Sequence, residues 1–184
     1  MPETRSRIVS RNAKVLRATA QPVPKKMFGS AKLNDIIASM KKALHREDDG
    51  VAIAAPQIGE SLRIFIVNGQ TLAALAQEKA GGEAPVVEDL VCINPEIVSL
   101  SRKRLLVEEG CLSLRWLYGK VNRSEKAKIK AQDPAGKTFT LGASGLLAQI
   151  FQHETDHLDG VLFTDKAIDI VNLPPEHEHE GSDK

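Results

Sequence analysis

Cysteine is scarce in this chain, with two in 184 residues, Cys92 and Cys111. So sparse a pair gives no disulfide framework. Long apolar runs are missing as well. No segment approaches the ~18–20 residues of a membrane-spanning helix, and Met1-Pro2-Glu3-Thr4-Arg5-Ser6-Arg7 lacks the apolar centre of a secretory signal. Nor is one sign of charge in excess: 25 Lys and Arg stand against 24 Asp and Glu, a net +1. No overall pull toward nucleic acid or anionic membrane follows. These absences predict a soluble, cytoplasmic protein, without direct DNA binding and without membrane association. The length suits one domain with its own core. Charge is uneven all the same. Ser101–Lys130 holds nine basic residues against three acidic ones and reads as a solvated sheet face. We place the single domain at residues 1–171 and expect an acidic, disordered tail over 172–184.

Patterning along the chain predicts an α+β fold. The first thirty residues, interrupted by Pro22 and Pro24, read as irregular. Leu33, Ile36, Ile37, Met40 and Leu44 recur at helical steps, and Gly50 reads as the stop. Leu62–Val67 reads as a buried strand. Asn68-Gly69 opens a loop-like stretch lasting to Glu88, with a short helix at Leu72–Glu78. Leu90–Ile93 resumes strand character, with Cys92 as a core residue, and Glu96–Glu108 reads as a strand or hairpin. Val121–Ala131 alternates as one half-exposed strand, and Asp133-Pro134-Ala135-Gly136 turns it onto Lys137–Leu141. Leu162–Val171 is apolar enough to pack back on the core. The expected architecture is antiparallel-rich, mixed sheets wrapped around a central metal-binding helix.

That helix carries the chemistry. His153-Glu154-Thr155-Asp156-His157 follows the H-E-x-x-H pattern, and Leu147, Ile150, Phe151, Glu154 and Leu158 recur at three- and four-residue steps. A four-residue step returns both imidazoles to one face. Glu154 then stands where it can exchange a proton with metal-bound water. Asp156 faces away.

A catalytic site of this kind takes three protein ligands. In the metzincin extension a histidine would follow at position 163, where Phe163 stands. A thermolysin-like site needs a later glutamate, and Val161–Pro175 has none. Asp165 and Asp169 remain downstream. Upstream, Cys111 lies in a small-residue turn after a strand, and a thiolate with two imidazoles suits iron(II), zinc, nickel or cobalt rather than magnesium or calcium. His45 reads as an exposed helix residue, and His177 and His179 as part of the tail.

Three segments together resemble the peptide deformylase family: Gly50-Val-Ala-Ile-Ala-Ala-Pro-Gln57, Glu109-Gly-Cys-Leu-Ser113 and Gln152-His-Glu-Thr-Asp-His-Leu-Asp-Gly160. The second and third match the family's motifs throughout. The resemblance spans residues 8–170, including Val15-Leu16-Arg17 with Ala20 and Pro22. It implies Cys111, His153 and His157 as ligands of one divalent metal, iron(II) in the cell with zinc or nickel as replacements. It implies Glu154 as the proton carrier, with the Gln57 amide and the Leu112 backbone N–H stabilising the oxyanion. Gly50, Val51, Ala52, Glu109 and Gly110 would border the substrate, and Gly110 would let the turn at Cys111 form. The implied reaction removes the formyl group from the N-terminal formyl-methionine of nascent peptides and releases formate. The implied protein is a bacterial-type, cytoplasmic monomer acting near the ribosomal exit tunnel. The alternatives are a metal-dependent peptidase of other specificity and a non-catalytic relative. Two departures stand out: Ala52 replaces the first motif's second glycine, and Arg115-Trp116 replaces the family's usual proline. Trp116 reads as packing the sheet.

Overall fold

The computed structural model describes residues 7–174. Helix α1, Ala31–Leu44, begins at Ser30, whose side chain accepts from the Leu33 N–H. It buries the predicted face of Leu33, Ile36, Ile37, Met40 and Leu44. The helix ends at Leu44, six residues before Gly50. Gly50 instead passes close under the helix end, where a Cβ would lie 2.7 Å from the Leu44 carbonyl oxygen.

Strands β1 (Ala52–Ala54), β2 (Ile64–Val67), β3 (Leu90–Leu100), β6 (Lys126–Gln132) and β7 (Thr138–Ser144) form one sheet in that spatial order. Strands β4 (Arg104–Gly110), β5 (Leu117–Ser124) and β8 (Ile168–Asn172) form a second, in the order β4-β5-β8. The strand pairings are antiparallel. Helix α3, Gly145–Leu158, lies against strands of both sheets, as the wrapped-helix expectation requires. The five-stranded sheet is covered on both faces near β2. Ile64 and Ile66 turn toward α1, while Phe65 and Val67 pack with Phe151 and Leu158 of α3. Burial on both faces explains why β2 is uniformly apolar. Each such fully buried side chain contributes roughly 1.5–3 kcal/mol. In β6 the expected alternation holds, with Ala127, Ile129 and Ala131 inside and three lysines outside.

Several expectations are corrected. Asn68-Gly69 starts a helix instead of a loop: the Asn68 side chain accepts from the Gln70 N–H and caps α2, Gly69–Ala80. Glu96–Glu108 is neither one strand nor a hairpin. β3 pairs with β6 and β4 with β5, so two long strands bend from one sheet into the other at Ser101–Lys103 and Glu125. Val121–Ala131 is broken at the same bend. In the segment after α3, Leu162 and Phe163 are buried, but Ile168, Ile170 and Val171 are exposed on edge strand β8. The strand runs to Asn172, and the predicted tail from Pro175 onward lies outside the described residues.

Helix α3 ends where the chain must turn sharply. Gly160 has φ +74°, and a Cβ there would meet the Arg17 carbonyl carbon and oxygen at 2.9 Å. The neighbouring strand-like contact from Ala20 N–H to the Leu158 carbonyl (2.8 Å) holds the N-terminal segment against this turn. Gly160→Ala should destabilise the fold by about 2 kcal/mol or more, adding left-handed strain to backbone contact. Urea denaturation of the two proteins measures this directly, and equal midpoints would refute it.

Candidate active site

The ligand set predicted from the sequence is brought together. Cys111 follows the end of β4, while His153 and His157 are one turn apart on α3. One ligand atom from each lies within 4.8 Å of the others. Cys111 Sγ is 3.2 Å from His157 Nε2, and the two imidazole centroids are 4.9 Å apart. Burial works against ionisation of Cys111, but the imidazoles of His157 and His153 outweigh it and bring the thiol to about 5. A thiolate between two imidazoles is a donor set for a borderline or soft cation.

His153 is aimed by a second ring of contacts. Its Nδ1 lies 2.9 Å from Glu109 Oε2. Arg123 clamps that carboxylate through Nε and Nη2 (2.7 and 2.9 Å) and reaches Asp156 through Nη1 (2.6 Å). Lys166 closes the series on Asp156 at 2.7 Å. Burial raises the Glu109 pKa, yet His153 and Arg123 hold it at about 2. A carboxylate only accepts, so the proton of His153 sits on Nδ1 and Nε2 keeps its lone pair for a metal.

Sequence reasoning missed this network. It left Arg123 among solvated basic residues, whereas Arg123 is 4 % exposed. The available signal was its phase: Arg123 lies two residues beyond buried Val121, on the inward face of β5. Glu109 does border the cleft, but its carboxylate turns to Arg123 and His153. Asp156 bonds Arg123 and Lys166 and is not part of the ligand cluster.

Glu154 is buried, and its Oε2 has no hydrogen-bond partner among the described residues. Burial raises its pKa; His153 and His157 counter this, and Cys111 and Glu109 reinforce it. Gln57 comes from the 3₁₀ turn Ala55–Ile58 after β1. Its Oε1 accepts from the Ala54 N–H at 2.7 Å, which turns Nε2 toward Cys111 Sγ, 3.5 Å away. Phe163 stacks on His153 with centroids 6.3 Å apart, occupying with carbon the place where the metzincin pattern has a ligand.

Gln57, Glu109, Cys111, His153 and Glu154 line a cleft of about 370 Å³ together with Val51, Ala52, Gly110 and Leu112. Gly50 is not part of its lining, and His157 is buried beneath the floor. Gly110 is required by packing more than by a turn conformation, since a Cβ would stand 3.0 Å from the Tyr118 ring. Trp116 does not pack the sheet: it is 38 % exposed and borders the cleft. Cys92 is fully buried, and burial pushes its thiol up, consistent with a core role. His45 is exposed at the end of α1, bonded to Asp89.

The sequence profile of the polypeptide deformylase family matches residues 5–172. The chain is 37% identical over 173 residues to a peptide deformylase of Symbiobacterium thermophilum, covering 94% of this chain and 71% of that one. It is 35% identical over 162 residues to the chloroplastic peptide deformylase 1B of tomato, covering 85% of this chain. This chain spans about half (54%) of that plant relative. A solved class I type b peptide deformylase from Acinetobacter baumannii with bound Met-Ala-Ser superposes with a TM-score of 0.74 at 33% identity, covering 86% of this chain and 97% of that one. The Thermotoga maritima peptide deformylase structure gives 0.72 at 33%, covering 88% and 96%. The chain belongs to the polypeptide deformylase family.

Proposed function

We propose that this chain removes the formyl group from the N-terminal formyl-methionine of newly made polypeptides, acting as a monomer near the ribosomal exit tunnel and releasing formate. The observation that carries this reading is the convergence of Cys111, His153 and His157 beside a buried acid and a fixed amide in one cleft. Those three side chains would hold a divalent cation, iron(II) in the cell and zinc or nickel as substitutes, which would supply Lewis acidity and an acidified water.

The chain's own residues supply the rest. Glu154, buried and with one oxygen unpartnered, takes a proton from the attacking water and returns it to the leaving amine. Gln57 Nε2 and the Leu112 N–H donate to the formyl oxygen as negative charge develops on it. Strand β1 is an edge strand of its sheet among the described residues, and Ala52 on it and Val51 just before it border the cleft. An extended peptide would add to that edge through its backbone.

The test compares formate release from formyl-Met-Ala-Ser with cleavage of unformylated and internally blocked analogues. Cleavage of internal peptide bonds alone would overturn the reading. Glu154→Ala should retain its metal while kcat falls by roughly 10²–10⁴, read by metal analysis alongside turnover; loss of metal would give Glu154 a structural role instead. Glu109→Gln frees the His153 ring and removes a buried charge from Arg123. Metal affinity should drop about 10–100-fold, as competition with a chelator would record. Ala52→Gly removes a methyl beside the peptide edge, so kcat/KM should rise or hold steady in the same formate assay.

A further inference from the structure

The connection between β4 and β5 has two halves held in different ways. Its first half is anchored: Cys111 faces the ligand histidines, the Leu114 N–H bonds the Cys111 carbonyl at 3.0 Å, and Leu114 is buried in a small apolar cluster. Its second half, Arg115-Trp116, lies at the cleft rim. There Arg115 Nη1 donates to both carboxylate oxygens of Asp49 (3.1 and 3.0 Å), and Nη2 donates to Glu47. The guanidinium also lies 5.6 Å from the centre of the Trp116 ring. Trp116 has φ +66°, left-handed for a bulky residue, and its carbonyl accepts from the Leu173 N–H at 2.8 Å. Glu47 and Asp49 belong to the connection from α1 to β1. The contacts therefore join the approach to the peptide-bearing edge of one sheet to a loop of the other. Asp49, Val51 and Ala52 line the cleft from the first segment, and Arg115, Trp116 and Leu117 from the second.

We propose that Arg115 is a substrate-positioning residue. By tying the rim half of the β4–β5 connection to Glu47 and Asp49, it fixes the width of the cleft where the residues after the formyl-methionine lie. The inference rests on the deformylase reading for the identity of that peptide. Of the groups assigned to the chemistry, Cys111 and Leu112 belong to the anchored half and Glu154, His153, His157 and Gln57 to other elements, so loosening the rim weakens peptide binding and leaves the chemical step intact. The Asp49 carboxylate is more than half exposed (59%), so salt screens the tie.

Trp116 is the sole tryptophan of the chain and borders the cleft, which supplies a direct readout. Met-Ala-Ser, the unformylated product, is titrated into the metal-loaded wild type, Arg115→Ala, Arg115→Lys and Asp49→Asn while indole fluorescence is followed. Kd should weaken about fivefold in Arg115→Ala and Asp49→Asn, the upper range for partly exposed ion pairs, with partial recovery in Arg115→Lys. KM for formyl-Met-Ala-Ser should rise in parallel while kcat stays within about twofold. Raising NaCl to about 0.5 M should move the wild-type Kd toward that of Arg115→Ala. Equal Kd values across the four proteins would overturn the proposal, as would a lowered melting temperature with unchanged Kd, or a fall in kcat at constant KM. A wild type that binds the peptide and releases no formate would sink the deformylase reading alone, because the Kd comparison still decides the role of Arg115.

Discussion

The site depends on one buried carboxylate. Glu109 and Arg123 lie on neighbouring strands of the smaller sheet, on the same face, with side chains only 2% and 5% exposed. A buried ion pair adds little net stability over apolar packing, but losing one partner leaves an uncompensated charge that costs roughly 3–5 kcal/mol. The pair is retained at a point where it does something packing cannot. Glu109 fixes the tautomer and orientation of His153, and Arg123 extends the grip to Asp156, three residues further along the same helix. Both contacts act on α3, so the helix is located against β4 and β5 by charge as well as by its apolar face.

That joint matters because the site is assembled from both sheets. Cys111 continues β4, directly after Glu109 and Gly110, so the strand that orients His153 also delivers the thiolate. Gln57 arrives from the far end of the other sheet, next to edge strand β1. Gln152 adds a neutral clamp: its amide bonds both the N–H and the carbonyl of Ser124 and the Ala148 carbonyl. With one side chain satisfying β5 backbone at the bend between the sheets, α3 is pinned at the turn that carries His153 and Glu154.

Local patterns made much of this legible. The helical spacing of α1 and α3, the alternation of β6 and its turn to β7 depend on near neighbours in sequence, and they stand as read. What stayed hidden depends on partners far away. The bend that sends Leu90–Gly110 through two sheets is set by pairing with Leu117–Gln132, which no single segment announces. Asn68 looked like a turn residue because the chemistry that caps a helix also makes turns. Arg123 looked like surface because charge usually is, and only its inward phase beside Val121 pointed otherwise. Within the candidate site, the gathering of Cys111, His153 and His157 beside Glu154 and Gln57 was readable from motif order, whereas the contacts that orient them were not.

The same side chains also set the charge environment of Glu154. Glu154 shares a buried floor with the Cys111 thiolate and the Glu109 carboxylate, both of which disfavour its charged form, and burial adds to them. The imidazoles of His153 and His157 pull the other way. An exposed glutamate would remain ionised through the neutral range and return a proton poorly to a leaving amine. Held between these opposing influences, Glu154 is raised from its ordinary value, the direction that suits the proton exchange proposed for it. The anions that add to burial here are the Cys111 thiolate and the carboxylate that aims His153, so the orientation of His153 and the charge environment of Glu154 share a side chain.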